Sequence, residues 1–351
     1  MRAGFGVIGT GMIASFHAKA LQEIPSARLV ASYDNRPGAA ASFGSSYGGM
    51  AYDSLERFLA DPDLQVVTIC TPSGMHLEPA LAAIEAGKHV IVEKPMEITL
   101  ERCDKMIEAA EKKGVLLSGI FPSRFHDVSR LIKTQLDEGR FGRLSLGDAY
   151  VKWFRSDEYY RSSNWKGTWK YDGGGALMNQ SIHAIDLLQW FMGPVESVQS
   201  CTATIGHEGI EVEDTAVAVL RYANGALGVI EGSTAVYPGF LKRLEISGTT
   251  GSVIMEEEDI TTWNFAEARL DDDVIRRKYA NATISGGGAA DPGAIGFHGH
   301  QRQFEDFLRV LESGKGKPLV DGIEARKAVA IIVAIYESAR TGRMVKMGAG
   351  S

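Results

Sequence analysis

Short apolar runs and longer stretches of helical periodicity alternate along the first third of the chain. Phe5 to Ile8 is the first run. Beyond Gly9 to Ala14, apolar positions at Phe16, Ala20, Leu21 and Ile24 recur at helical spacing until Pro25 stops them. Arg28 to Tyr33, Leu64 to Cys70, His89 to Val92 and Val115 to Ser118 read as further strands, and segments 39–43, 54–59, 78–86 and 100–113 read as helices between them. Leu64 to Cys70 has the apolar character of a strand covered by helices on both faces. Strands separated by helices predict an α/β domain built on a parallel, doubly wound sheet.

From about Phe121 the pattern changes. A helix at 128–138 precedes long segments of two-fold alternation at 145–154, 195–204, 215–222 and 226–234, with shorter ones at 241–246 and 252–255. Such alternation predicts an antiparallel sheet with one face covered, and Asn224-Gly225 supplies a hairpin turn between two of its strands. The chain is thus expected to divide into a nucleotide-binding domain over 1–122 and an α+β domain over 123–351. A Gly/Ala/Ser-rich stretch at 280–297 reads as a loop or lid, the run Glu256 to Asp259 as a solvated loop, and 300–312 and 322–339 as closing helices.

Composition narrows the function classes. The 351 residues carry a net charge of −7 with the basic residues dispersed, which argues against a nucleic-acid partner. Cys70, Cys103 and Cys201 are odd in number and far apart, as expected of reduced thiols. No apolar run approaches the roughly 18 residues needed to span a bilayer, and a strand pattern at once after Met1 leaves no room for a signal peptide. The expected compartment is the cytoplasm, with no membrane partner.

The chemistry begins in the turn after the first strand. Gly9-Thr10-Gly11-Met12-Ile13-Ala14 fits the G-x-G-x-x-A pattern between a strand and a helix. Gly9 allows a tight turn, Gly11 allows close approach of a pyrophosphate, and the helix N-terminus offers N–H groups and a positive dipole end. Asp34 ends the second strand 23 residues after Gly11, where a carboxylate accepts from a ribose 2′-hydroxyl and repels a 2′-phosphate. NAD is therefore expected over NADP, although Arg36, beside Asn35, is of the type that accommodates the phosphate. Thr71-Pro72-Ser73-Gly74-Met75-His76 and Glu93-Lys94-Pro95 follow the next two strands, at the sheet edge where ligands of such folds bind. A lysine leaving an apolar strand end, such as Lys94, can have its pKa lowered and take part in proton transfer.

Together these motifs resemble the glucose-fructose oxidoreductase / inositol dehydrogenase / rhizopine catabolism (Gfo/Idh/MocA) family. The resemblance continues through Asp172-Gly173-Gly174-Gly175-Ala176-Leu177-Met178-Asn179-Gln180-Ser181-Ile182-His183-Ala184-Ile185-Asp186 and the Gly-Ile-Glu-Ala-Arg-Lys segment from Gly322, so it covers essentially the whole chain. It implies a Rossmann domain followed by a domain with a large, open, mostly antiparallel sheet, through which homodimers or homotetramers form. It also implies that Lys94 is the catalytic lysine and His183 the active-site histidine. Asn179 stands where many members carry aspartate, which shifts acid–base work onto Lys94 and His183 and leaves Asn179 to orient the sugar. By its spacing, Asp186 one helical turn on can hold the His183 tautomer.

The segment from Arg155 through Tyr160, Trp165 and Trp169 supplies groups that can stack on a pyranose and grip an anionic substituent. It is similar to that of UDP-N-acetyl-glucosaminuronate 3-dehydrogenases. Arg124 falls where the family often lines the nicotinamide or substrate pocket. His298 and His300 read as lid residues, and an H-x-H pair with no partnering acid or cysteine predicts no metal. The expected reaction is hydride transfer between a secondary hydroxyl of a cyclic sugar, sugar acid, nucleotide sugar or polyol and the nicotinamide of NAD, with His183 as base and Lys94 stabilising the alkoxide. A redox-neutral enzyme that recycles bound NAD, and a non-catalytic sugar sensor, fit the same motifs.

Overall fold

The computed structural model describes residues 2–280 and 296–348. Most of the Gly/Ala/Ser-rich stretch, and with it the expected loop or lid, lies outside the described residues. The chain forms two compact units, one of residues 1–122 and 296–326 and the other of 123–295 and 327–351. Segment 296–326 thus packs with the first unit, although it follows the second in sequence.

The first unit holds a six-stranded sheet, β1 (Ala3–Ile8), β2 (Ala27–Tyr33), β3 (Met50–Tyr52), β4 (Val66–Ile69), β5 (His89–Val92) and β6 (Leu117–Gly119), in the order β3-β2-β1-β4-β5-β6. All its pairings are parallel. Helices α1 (Met12–Gln22), α2 (Ala39–Tyr47), α3 (Leu55–Leu59), α4 (Leu77–Glu85) and α5 (Leu100–Lys113) connect the strands. This is the doubly wound arrangement the alternation predicts, and the order reverses at β1 and β4, where ligands of such sheets bind. Phe5, Leu21, Val66 and Ile91 form a core completed by Phe304 and Phe307, which are fully buried. Burying each such phenylalanine stabilises by roughly 1.5–3 kcal/mol, which anchors segment 296–326 here.

The second unit carries eight strands: β7 (Leu144–Lys152), β8 (Val195–Ala203), β9 (Thr215–Tyr222), β10 (Leu227–Ser233), β11 (Arg243–Gly248), β12 (Gly251–Glu256), β13 (Asp259–Phe265) and β14 (Val345–Lys346). Their order is β13-β12-β11-β7-β10-β9-β8-β14, antiparallel except between β7 and β10. Asn224-Gly225 makes the expected β9–β10 hairpin, Asn224 capping it through Oδ1 to the Ala226 N–H at 3.0 Å. Alternation along β9 buries Ala216, Ala218, Leu220 and Tyr222 and exposes Val217, Val219 and Arg221. Helices α6 (Asp127–Asp137), α7 (Asp157–Arg161), α8 (Ile182–Met192) and α9 (Asp272–Lys278) belong to this unit; α10 (His298–Ser313) lies in the first, and α11 (Gly322–Thr341) begins there and continues into the second. The Glu256–Asp259 run is the β12–β13 turn, but Glu257 is not solvated: its side chain is largely buried in an ion pair with Lys242 at 3.0 Å.

Candidate active site

The turn after β1 is shaped for close backbone approach. Gly9 has φ +85°, and a Cβ there would stand 2.9 Å from the backbone of Cys70 and Thr71, so both conformation and space require glycine. Gly11 caps α1 without a side-chain hydrogen bond, and a Cβ there would meet nothing within 4 Å. The first-turn N–H groups of an eleven-residue helix therefore face an open approach flanked by exposed Met12, while Ile13 packs into the core beneath. A pyrophosphate fits this cradle without steric conflict.

Asp34 closes the cradle. One oxygen, Oδ2, accepts from the Thr10 N–H and Oγ1, each at 2.8 Å. Arg36 grips the same carboxylate with Nε at 2.9 Å and Nη2 at 2.7 Å. Burial by itself would raise the Asp34 carboxyl, but the bonds from Arg36 and Thr10 outweigh it and hold the group well below the usual carboxylate range. Arg36 is thereby committed to Asp34, and Asn35 beside it is exposed. An ionised acid at this position favours a free ribose hydroxyl over a 2′-phosphate.

The clusters after β4 and β5 are tied to each other. His76 is buried, with Nδ1 2.9 Å from the Pro95 carbonyl and Nε2 2.8 Å from that of Thr71. It clamps the Thr71–Met75 turn, which contains Pro72 and buried Ser73, to the loop carrying half-buried Lys94. Glu93 Oε2 accepts from the Lys94 N–H at 3.0 Å, while Oε1 lies 2.8 Å from His17 Nε2 and 3.6 Å from His300 Nε2. Burial would raise Glu93 too, yet the bonds from His17 and His300 hold it well below its ordinary value; burial lowers the His17 pKa despite Glu93. A carboxylate, with neutral His17 donating through Nε2 and accepting from Thr68 Oγ1 on Nδ1, satisfies all these contacts.

His300 therefore has an acid beside it, contrary to the sequence reading, and it and His298 lie in the first turn of α10 instead of a lid. The donor atoms of His17, Glu93 and His300 lie within 4.8 Å of one another. The His17–Glu93 contact of 2.8 Å is a hydrogen bond, tighter than the about 3.3 Å between two ligands of a tetrahedral ion.

In the second unit the Gly-rich turn leads into one π-helical turn, Ala176–Ser181, and then α8. Half-buried Asn179 and His183 sit four residues apart across this junction, a geometry frequent at functional sites. Glu213 organises the turn: its oxygens accept from the Gly175 N–H at 2.9 Å, the Leu177 N–H at 2.8 Å and the Tyr336 hydroxyl at 3.0 Å. A Cβ on residue 175 would stand 1.8 Å from the Glu213 carbonyl, which explains glycine there. Burial pushes the Glu213 carboxyl up to about 7.

A polar network spreads from Asn179. Its Nδ2 donates to Asp172 Oδ1 at 2.6 Å, and Gln180 Nε2 reaches Asn179 Oδ1 at 3.3 Å and the Tyr159 hydroxyl at 2.9 Å. Arg155 Nη2 donates to Gln180 Oε1 at 3.2 Å, and the Lys166 ammonium lies 3.9 Å from the Tyr159 ring centroid. Two expected sugar-stacking residues differ in setting. Tyr160 is buried, bonded to Thr234 at 2.8 Å and packed edge-on against His207 at 4.8 Å. Trp169 is 46% exposed, edge-on to Tyr336, and Trp165 is half-buried.

Arg124 is fully buried, with Nε and Nη2 on the two oxygens of Asp186 at 2.8 and 2.7 Å. The expected pocket residue is thus one half of a buried ion pair, and the expected His183 orienter is its other half. Sequence reasoning gave no role to Asp172, Gln180, Glu213 or His17, and included Tyr159 and Lys166 only as members of the aromatic and cationic segment from Arg155 to Trp169. Asp172 and Gln180 lie within the quoted motifs, but nothing in their spacing shows their partners.

Comparison with known proteins adds three findings. Residues 3–121 match an oxidoreductase family with an NAD-binding Rossmann fold (GFO_IDH_MocA), and residues 129–254 match the GFO/IDH/MocA C-terminal domain. The chain is 30% identical to levoglucosan dehydrogenase of Pseudarthrobacter phenanthrenivorans over 95% of each protein, and 28% identical to myo-inositol 2-dehydrogenase of Thermotoga maritima over 97% of this chain and 98% of that one. Among solved structures, the WlbA dehydrogenase from Bordetella pertussis in complex with NADH and UDP-GlcNAcA is 34% identical, with a TM-score of 0.89 over 99% of this chain and 98% of that one.

Proposed function

Because this chain belongs to the Gfo/Idh/MocA family of NAD-binding oxidoreductases, we propose that it oxidises a secondary hydroxyl of a nucleotide-linked sugar acid to a ketone. NAD, when bound, supplies the hydride acceptor. With NAD bound, loss of the carbinol hydrogen as hydride to the nicotinamide would be matched by transfer of the hydroxyl proton to His183, so that ketone, NADH and a proton balance the reaction. Lys94 stabilises the developing alkoxide as a cation at the strand end. Asn179 orients the sugar, and Arg155 with Lys166 holds its anionic substituent, Trp165 and Trp169 lying alongside. Gly9 to Ile13, Asp34, Asn35 and the Thr71–His76 turn hold the dinucleotide, and Arg124 supports α8 through Asp186.

The observation carrying this reading is the uncapped α1 N-terminus beside an ionised Asp34, two β-strand ends away from Lys94 on the same sheet. The sugar-acid assignment rests on the cationic network around Tyr159 and on likeness to a dehydrogenase solved with UDP-GlcNAcA. Among the described residues no helix is long and apolar enough to cross a membrane, and we place the protein in the cytoplasm. Exposed Leu146, Val217, Val219 and Leu227 on neighbouring strands support a homodimer or homotetramer through this sheet.

The test mixes purified protein with NAD or NADP and a panel of UDP-sugar acids, uronates, inositols and free aldoses, following nicotinamide absorbance. NAD reduction with the UDP-sugar acid is expected. Reduction by another member of the panel would overturn the substrate. No reduction by any, with cofactor still bound, would replace the dehydrogenase with a recycling enzyme or a sensor.

A further inference from the structure

The proposed function requires the Asn179 amide to face one way, and its Oδ1 accepts from Gln180 Nε2 only at the long distance of 3.3 Å. An amide has a donor end and an acceptor end of nearly equal shape, and a sugar hydroxyl is aligned only if one end is presented reproducibly. The structure contains a group able to decide it. Asp172 is 1% exposed, and its carboxylate stands against the Asn179 side chain at 2.6 Å through Oδ1. Its other oxygen, Oδ2, accepts from the Gly167 N–H at 2.9 Å, and the Asp172 N–H donates to the Thr168 carbonyl at 3.0 Å. The turn therefore holds residue 172 through its backbone N–H and through one carboxylate oxygen, leaving Oδ1 for Asn179. A carboxylate only accepts, so the Asn179 nitrogen must face it and the Asn179 carbonyl must face away.

We propose that Asp172 is a positioning residue for the reaction: it fixes the Asn179 amide so that the carbonyl is the end offered to a substrate hydroxyl. This deepens the dehydrogenase reading and rests on it. It also accounts for an amide at 179, because an aspartate there would set two carboxylates about one hydrogen bond apart. Such a pair ionises only once readily, the second ionisation being raised by the first charge.

The geometry allows the pair to be rebuilt with its polarity exchanged. In Asp172→Asn/Asn179→Asp, the residue at 172 keeps an oxygen for the Gly167 N–H and turns an N–H toward 179. The carboxylate now at 179 still offers an oxygen to the substrate. Charged and titratable groups that feel Asp172 include Lys166, Tyr159, Tyr160 and Tyr336. All four remain in every variant, so a pH limb confined to one variant belongs to the pair.

The experiment compares wild type, Asp172→Asn, Asn179→Asp and the exchanged double variant in kcat, KM and NAD affinity across pH 5.5–9, with thermal unfolding as the folding control. Each single variant is expected to lose about 10–100-fold in kcat/KM for the sugar substrate. The exchanged variant should recover to within about ten-fold of wild type, NAD affinity staying within a few-fold throughout. Asn179→Asp alone should acquire activity that falls as pH rises, since only its singly protonated pair presents the site correctly. Single variants near wild type, or losses that add in the double variant, would overturn the role of Asp172 while leaving the dehydrogenase reading intact. A wild type that oxidises no sugar but binds a UDP-linked hexuronic acid in the presence of NADH has the same cycle read by calorimetry, with coupling supporting the proposal and additivity overturning it. A wild type that neither turns over nor binds sinks the dehydrogenase reading, and the proposal with it.

Discussion

In the first unit, the groups that meet the cofactor in our reading are backbone N–H donors at the end of a strand and one carboxylate, Asp34. In the second, the groups around Asn179 are side chains from several places in the sequence, linked through Asp172, Gln180, Arg155 and Tyr159. The first arrangement follows from local chain geometry, because a strand, a glycine turn and a helix suffice to aim the donors. The second exists only after the sheet and the Gly-rich turn have formed. In our reading, holding a dinucleotide thus calls for a local motif, whereas holding a sugar calls for a polar network that the fold must assemble.

Three substitutions sharpen that contrast. The largest effect is expected at Asp186, in the assembled unit. Asp186→Ala leaves the Arg124 guanidinium buried without its carboxylate, which costs about 3–5 kcal/mol, read as a fall in the denaturation midpoint. Replacing both partners by apolar residues should recover most of it. A single variant as stable as wild type would mean that the pair contributes nothing.

Glu213 comes next. Its carboxyl titrates near 7 in the folded chain against an ordinary value of 4.5, so between those values the folded chain keeps a proton that the unfolded chain has lost. Stability contributed by the neutral form is complete below about 4.5 and is lost as pH rises to about 7, by about 3 kcal/mol in all. Glu213→Gln removes this titration and should flatten the unfolding temperature over that range; an unchanged slope would contradict it. The smallest effect lies in the cradle, where the backbone donors survive mutation. Asp34→Ala should weaken NAD by about ten-fold and narrow its preference over NADP, as measured by fluorescence titration. Unchanged selectivity would assign it to Arg36 or the backbone.

Legibility follows the same division. The strand His89–Val92 and the helix Leu100–Lys113 have the bounds that periodicity gives them, because Thr99 caps the helix through its hydroxyl and Gly114 ends it with φ +71°. The three residues of β3 form a strand only by pairing with β2 and carry no pattern of their own. The amphipathic face of α10 announces a helix but not which unit it covers, so the return of 296–326 to the first unit was hidden. Arg124 is read from its position as a pocket residue, yet Asp186, 62 residues away, takes it. No partnering acid for His300 is visible in the sequence, because Glu93 reaches it only through the fold. The motif containing Asn179 is plain, but its bond to Asp172 depends on the turn between them.

The account turns on Lys94 acting in the chemical step and not in holding the dinucleotide. The most direct measurement is the turnover of Lys94→Met with NAD and the sugar that wild type oxidises, alongside its NAD dissociation constant. The account predicts turnover lower by about 10³-fold with NAD affinity within a few-fold of wild type. Turnover near the wild-type rate would contradict it.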